Sequence, residues 1–116
     1  MRANNLTLLT DLYELTMMQG YFKNPTDQTV IFDMFYRTNP CDGAFSITAG
    51  LEQMIEYIEN LHFSEDDLAY LRSLKIFDDD FLEYLKNFRF SGDIYAIPEG
   101  TVVFPREPLV KVVAPI

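Results

Sequence analysis

The spacing of apolar residues changes period several times along this chain, and those changes restrict its fold more than any other feature. Between Leu51 and Phe88 apolar side chains recur every three or four positions, and from Phe90 onward the pattern is that of strands. An earlier helix is predicted over Thr10–Tyr21. There Leu8, Leu12, Leu15 and Gln19 follow one row, with Met18 and Phe22 beside it. Asp11 followed by Glu14 reads as a capping-box-like start, and Gly20 as a stop. KNPTDQ is a turn. Thr29–Thr38 is rich in Val, Ile, Phe and Tyr and is predicted as a strand. One face carries Ile31, Asp33, Phe35 and Arg37. The other carries Val30, Phe32, Met34 and Tyr36, and is expected to pack on a core. Asn39–Gly43 is a loop, and Phe45–Thr48 a short strand.

Three helices are then expected. Leu51–Leu61 turns Leu51, Met54, Ile55 and Ile58 inward. Ser64-Glu-Asp-Asp67 is a capping box that opens a helix burying Leu68, Leu71 and Leu74. Asp78–Asp80 opens another, with Phe81, Leu82, Leu85 and Phe88 on its apolar side. Strands over Gly92–Ile97, Thr101–Phe104 and Leu109–Val113 follow, separated by PEG and PREP turns. Helix, strands, helices, strands is an α+β order, not a regular alternation. With 116 residues, the chain is long enough for one domain around one core. It closes on PLVKVVAPI, an apolar strand where polar sequence is usual, so a fragment of a longer protein is expected.

Eighteen acids against nine bases give a net charge of −9, which argues against a nucleic-acid surface and against anionic lipid. An anionic small ligand would need a local cluster of cations. The single cysteine, Cys41, allows no intrachain disulfide. Neither a zinc-ligand spacing nor an apolar run of membrane-span length occurs, and Asp11 and Glu14 interrupt the N-terminal apolar stretch, unlike a secretory signal. A cytoplasmic location is expected.

Few residues stand out for chemistry. Asp11 is a natural helix cap, yet Tyr13 in the same first turn could stack on a flat ligand and offer its hydroxyl. Arg37 closes the aromatic strand beside a Pro- and Gly-containing loop, and a guanidinium suits bidentate phosphate binding. Arg106 and Lys111 are weaker candidates. His62, the sole histidine, lacks the Ser, Cys or acid neighbours of a dyad, triad or metal site. Asp66-Asp67 and Asp78–Asp80 fall at helix starts, where the macrodipole favours acids, without EF-hand spacing. No P-loop or GxGxxG motif is present.

TDLYELTMMQGYF, FDMFYRTNP, GAFSITAGLEQMIEYI and PEGTVVFPREPLVKVVAPI occur in that order. Together they resemble the N-terminal region of nicotinate phosphoribosyltransferases over essentially the whole chain. The resemblance implies an N-terminal α/β-hammerhead-type domain of a type II phosphoribosyltransferase, spanning residues 1–116, with the family's (β/α) barrel domain absent. It implies conversion of nicotinate and phosphoribosyl pyrophosphate to nicotinate mononucleotide and pyrophosphate, in NAD salvage. ATP hydrolysis, coupled through a phosphohistidine, and Mg²⁺ would assist. Such a reaction must neutralise a departing pyrophosphate and stabilise an oxocarbenium-like sugar. The family's site lies between one subunit's barrel and the N-terminal domain of its partner, so a homodimer and the remainder of the same enzyme are implied as partners. Asp11 and Tyr13 match the Asp-x-Tyr that reaches the pyridine pocket, and Arg37 matches an arginine on the sugar-substrate phosphates. The coupling histidine and the barrel's phosphate loop would lie beyond Ile116, so the chain alone is expected to be inactive.

Two other readings compete. The terminal PEGTVVFPREPLVKVV is similar to the barrel-sandwich topology of biotinyl and lipoyl carriers, but these present their lysine in a hairpin, and Lys111 lies between Val110 and Val112. The other is a structural oligomerisation module without catalysis.

Overall fold

The computed structural model describes residues 5–116. Its elements run α1 (Leu12–Lys23), β1 (Thr29–Met34), a 3₁₀ turn (Pro40–Asp42), β2 (Ser46–Ile47), α2 (Leu51–Glu59), α3 (Glu65–Ser73), α4 (Asp79–Lys86), β3 (Asp93–Ala96), β4 (Val102–Val103) and β5 (Val110–Pro115). They form two compact units, each assembled from two separate stretches of chain. A helical unit takes residues up to Thr26 together with Asn60–Phe90. A sheet unit takes Asp27–Glu59 together with Ser91–Ile116.

In the helical unit, α4 supplies the centre of the core. Phe81, Leu82 and Leu85 fall on one side of the helix and are almost wholly buried, as the apolar spacing predicts. Leu68 and Leu71 of α3 join them, with Phe63 and Phe77 from the connections. From α1 the inward line is Leu15, Met18 and Phe22. The Phe22 ring lies 5.7 Å from that of Phe81 and 4.9 Å from that of Tyr84. That packing carries α1 through Gly20, the expected stop, to Lys23, where the Asn24 N–H caps the Gly20 and Tyr21 carbonyls. Leu12, assigned inward by periodicity, is exposed.

The capping box of α3 forms as expected: Asp67 N–H donates to Ser64 Oγ at 3.2 Å and Ser64 N–H donates to Asp67 Oδ2 at 2.8 Å. At the start of α4 the amide of Gln19 does the corresponding work. Its Oε1 accepts the Asp78 N–H at 2.7 Å, while its Nε2 donates to the Ile76 carbonyl at 3.2 Å. Lys23 also pairs with Asp78. His62 has a structural place, with Nδ1 2.7 Å from the Asn60 carbonyl and its own carbonyl accepting from the Thr7 hydroxyl.

The sheet unit holds a three-stranded antiparallel sheet in the order β1-β5-β3, with β5 central. Register places Asp33 opposite Lys111 and Met34 opposite Val110 on one side, and Tyr95 opposite Lys111 on the other. β2 and β4 form a separate antiparallel pair. β1 is four residues shorter than its composition suggests, because its partner β5 begins at Val110 and supplies no register beyond Met34. The expectation that Val30, Phe32, Met34 and Tyr36 pack on a core does not hold. Phe32 and Met34 remain 67% and 53% exposed, and the buried residues of this unit are Val103 and Val110. In α2, Leu51, Met54 and Ile58 are half-buried and Ile55 is exposed. Among the described residues there is no (β/α) barrel, and no helix is long and apolar enough to cross a membrane.

Candidate functional site

Asp11 and Tyr13 share the first turn of α1. Asp11 occupies the N-cap position with extended backbone (φ −79°, ψ 144°), but its carboxylate accepts no capping hydrogen bond. The expected capping box is therefore absent, because Thr10 engages Glu14 instead through its hydroxyl. The Asp11 carboxylate is exposed and unspent at a helix end whose free N–H groups favour negative charge. Tyr13 is 59% exposed, and Met17 and Tyr21, one and two turns further along the same row, are exposed as well.

Arg37 belongs to the other unit. It lies three residues past the end of β1 rather than on the strand, in an exposed bend leading to the 3₁₀ turn. The bend is well tied. The Tyr36 hydroxyl is 3.0 Å from both Asn39 Oδ1 and the Val103 carbonyl oxygen. Beside it, the Arg106 N–H donates to the Tyr36 carbonyl at 2.8 Å, and the Leu109 N–H donates to the Met34 carbonyl at 2.8 Å. Cys41 and Asp42 follow in left-handed conformations (φ 53° and 54°), and the Cys41 thiol is free and exposed. Gly43 closes the turn on the Pro40 carbonyl, where a β-carbon would sit only 3.2 Å from that oxygen.

Sequence reasoning passed over two supporting residues in the sheet unit. Tyr36 reads as one more apolar strand residue, yet its hydroxyl holds the Arg37 bend. Glu99 reads as part of a turn, yet its carboxylate accepts the Gly50 N–H at 2.9 Å and the Leu51 N–H at 3.0 Å, capping α2 from a distant loop. Those two backbone hydrogen bonds hold the Glu99 pKa below the usual carboxylate range. Gly50 enters α2 at φ +99°, a conformation that favours glycine. Thr48 ties the same loop to the PEGT turn. Its hydroxyl donates to the Pro98 carbonyl at 2.7 Å and accepts the Thr101 N–H at 2.9 Å. A pocket of about 340 Å³ opens beside this corner, between Met34, Tyr36, Ile47, Leu51, Met54 and Val110. Lys111 lies inside the central strand and not in a hairpin, unlike the lysine of a carrier domain. Among the described residues, no group of three or more His, Cys, Asp or Glu side chains converges as a metal site would.

A family model, the nicotinate phosphoribosyltransferase N-terminal domain, matches residues 8–116. The chain belongs to that family. It is 47% identical over 109 residues to the nicotinate phosphoribosyltransferase pncB2 of Mycobacterium tuberculosis, a match covering 94% of this chain and 24% of that protein. It is 39% identical to the nicotinate phosphoribosyltransferase of Bacillus subtilis, covering 99% and 24%. Among solved structures, human nicotinic acid phosphoribosyltransferase superposes with a TM-score of 0.78 at 33% identity, covering 91% of this chain and 22% of the other. The chain thus spans about a quarter of the length of the curated relatives it matches. The mixed helix-and-sheet fold is that of the N-terminal domain of nicotinate phosphoribosyltransferases.

Proposed function

We propose that the protein containing this chain converts nicotinate and phosphoribosyl pyrophosphate to nicotinate mononucleotide and pyrophosphate with ATP hydrolysis, and that this domain contributes ring and phosphate contacts to the site. The observation that carries the reading is the first turn of α1. An exposed tyrosine and a carboxylate with no capping duty sit two residues apart, in a chain of this family. Tyr13 would stack on the pyridine ring, a contact worth about 1 kcal/mol. Asp11 would orient beside it, and Arg37, on its bend, would face a phosphate group of the sugar substrate.

The remaining parts of the reaction fall to other residues. Mg²⁺ and ATP belong to the proposed chemistry, and among the described residues no group of three or more His, Cys, Asp or Glu side chains converges to hold a divalent ion. The acidic balance of the chain, −9, would repel a polyphosphate unless cations elsewhere in the protein offset it. A cytoplasmic homodimer, in which the partner subunit and the remainder of the polypeptide complete the site, is part of the same proposal. Residues 1–116 alone should form no nicotinate mononucleotide.

The test is a chromatographic assay of the full-length protein with nicotinate, phosphoribosyl pyrophosphate, ATP and Mg²⁺, run with Tyr13→Ala. The variant should raise the KM for nicotinate severalfold and leave that for phosphoribosyl pyrophosphate nearly unchanged. Equal effects on both substrates would count against a pyridine role, and no product from the wild type would end the reading.

A further inference from the structure

We propose that Arg106 and Arg37 form one two-arginine anion site, so that Arg106 is a second phosphate-binding residue of the sheet unit. The inference rests on the phosphoribosyltransferase reading for the identity of the anion. The backbone brings the two residues together across 69 positions of sequence: the Arg106 N–H donates to the Tyr36 carbonyl at 2.8 Å, and that carbonyl belongs to the peptide leading into Arg37. Bond lengths alone then hold the two α-carbons within about 7 Å of each other. Two arginine side chains rooted that closely can share one phosphate group, each offering a planar fork of N–H donors.

Four further observations favour this use. Arg37, Arg106 and Lys111 are the only cations of the sheet unit, and of these Lys111 lies within β5 whereas the two arginines lie on the bend and the turn that the Arg106 N–H joins. Both are exposed, and among the described residues neither guanidinium makes an ion pair or a hydrogen bond. The adjacent acid, Glu107, turns its carboxylate toward the Phe104 N–H, at 3.4 Å. Finally, Arg106 sits at φ +67°, a left-handed conformation in which glycine or asparagine would be at ease and arginine is not. What arginine adds at that position is its side chain. Like charges held this close repel one another unless an anion lies between them.

The test uses the full-length protein with two probes, inorganic pyrophosphate and ribose 5-phosphate, their binding measured by calorimetry. Arg106→Gly removes the side chain while suiting the left-handed backbone, and Arg106→Lys retains the charge without the fork. Arg106→Gly should weaken one of the two anions roughly ten- to a hundredfold. Arg37→Ala should weaken the same anion, and Arg106→Lys should recover part of the loss. The anion affected identifies which phosphate the pair holds. Unchanged affinity of Arg106→Gly for both anions overturns the inference, as does a wild-type protein that binds neither. A nicotinate mononucleotide assay run alongside separates the two levels. A protein that makes no product refutes the enzymatic reading, whereas the anion affinities decide the arginine pair by themselves.

Discussion

Tyr36→Phe isolates the positioning of the Arg37 bend, because it deletes one oxygen and leaves the ring in place. That oxygen lies 3.0 Å from Asn39 Oδ1 and 3.0 Å from the Val103 carbonyl, on a half-buried side chain. A neutral hydrogen bond of this kind contributes about 0.5–1.5 kcal/mol net. The bend is held on its other side by the Arg106 N–H at the Tyr36 carbonyl, so loosening one attachment should loosen its neighbour. Opening free energy converts directly to amide exchange: at about 0.59 kcal/mol per natural-log unit, the loss speeds exchange of the Arg106 amide roughly two- to tenfold. Hydrogen–deuterium exchange of the full-length protein, read on a peptide covering residues 104–109, measures this. Peptides from α3 and α4 serve as the internal reference, since their caps do not involve Tyr36. In the enzymatic assay the same variant should raise the KM for phosphoribosyl pyrophosphate a fewfold and leave that for nicotinate alone. Unchanged exchange at residues 104–109 would refute the claim that the hydroxyl holds the bend. Faster exchange with an unchanged KM would refute the link from the bend to the sugar phosphate.

Other perturbations separate the remaining elements. Arg37→Ala should cost about 1.5–3 kcal/mol in binding the sugar phosphate, and Arg37→Lys should restore only part of it, because the bidentate fork is lost; a lysine variant with wild-type kinetics would remove Arg37 from the site. Leu85→Ala empties a fully buried position of α4 and should cost about 2–5 kcal/mol of stability, seen as a lower urea midpoint for the helical unit, whereas a change under 1 kcal/mol would mean that the core collapses around the gap. Glu99 has a lowered folded-state pKa from the Gly50 and Leu51 N–H groups, so its contribution is present above the ordinary carboxylate pKa and fades as pH falls through the lowered one. Glu99→Gln should therefore flatten the acid-side loss of protection of the α2 amides as pH falls below the ordinary carboxylate pKa, and an identical pH profile in wild type and variant would assign that loss to other groups.

The helical unit was legible because independent signals agree there. The Ser64–Asp67 cap and the spacing of Phe81, Leu82 and Leu85 both point to helices with one buried side, and local geometry decides both. The start of α1 was less legible because two donors compete for one acceptor. Asp11 and Glu14 have capping-box spacing, but Thr10 captures Glu14. At the far end of α1, the Phe22 contacts with Phe81 and Tyr84 outweigh the weak helix propensity of Gly20. In the sheet unit, what matters is non-local. The length of β1 is set by the register of β5, some eighty residues on, and the partners of Tyr36 and Glu99 lie 67 and 49 residues away. No local pattern encodes those pairings. The exposure of Tyr13 was consistent with its residue type but not dictated by it. The pairing of Arg106 with the Arg37 bend was invisible until the backbone connected them.

The central position of β5 has a consequence for biosynthesis. β1 and β3 never pair with each other; each finds its partner only in β5, the last of the three strands in the chain. A ribosome adding roughly 5–20 residues per second completes the helical unit at Phe90 but must continue to Pro115 before the sheet can close. For those few seconds β1 trails the ribosome with Ile31, Phe32 and Met34 unpaired along its length, a segment open to association with any neighbouring strand. The order of strands in space thus makes the helical unit the earlier folder. It also makes the β1 segment the part of this nascent chain most in need of protection.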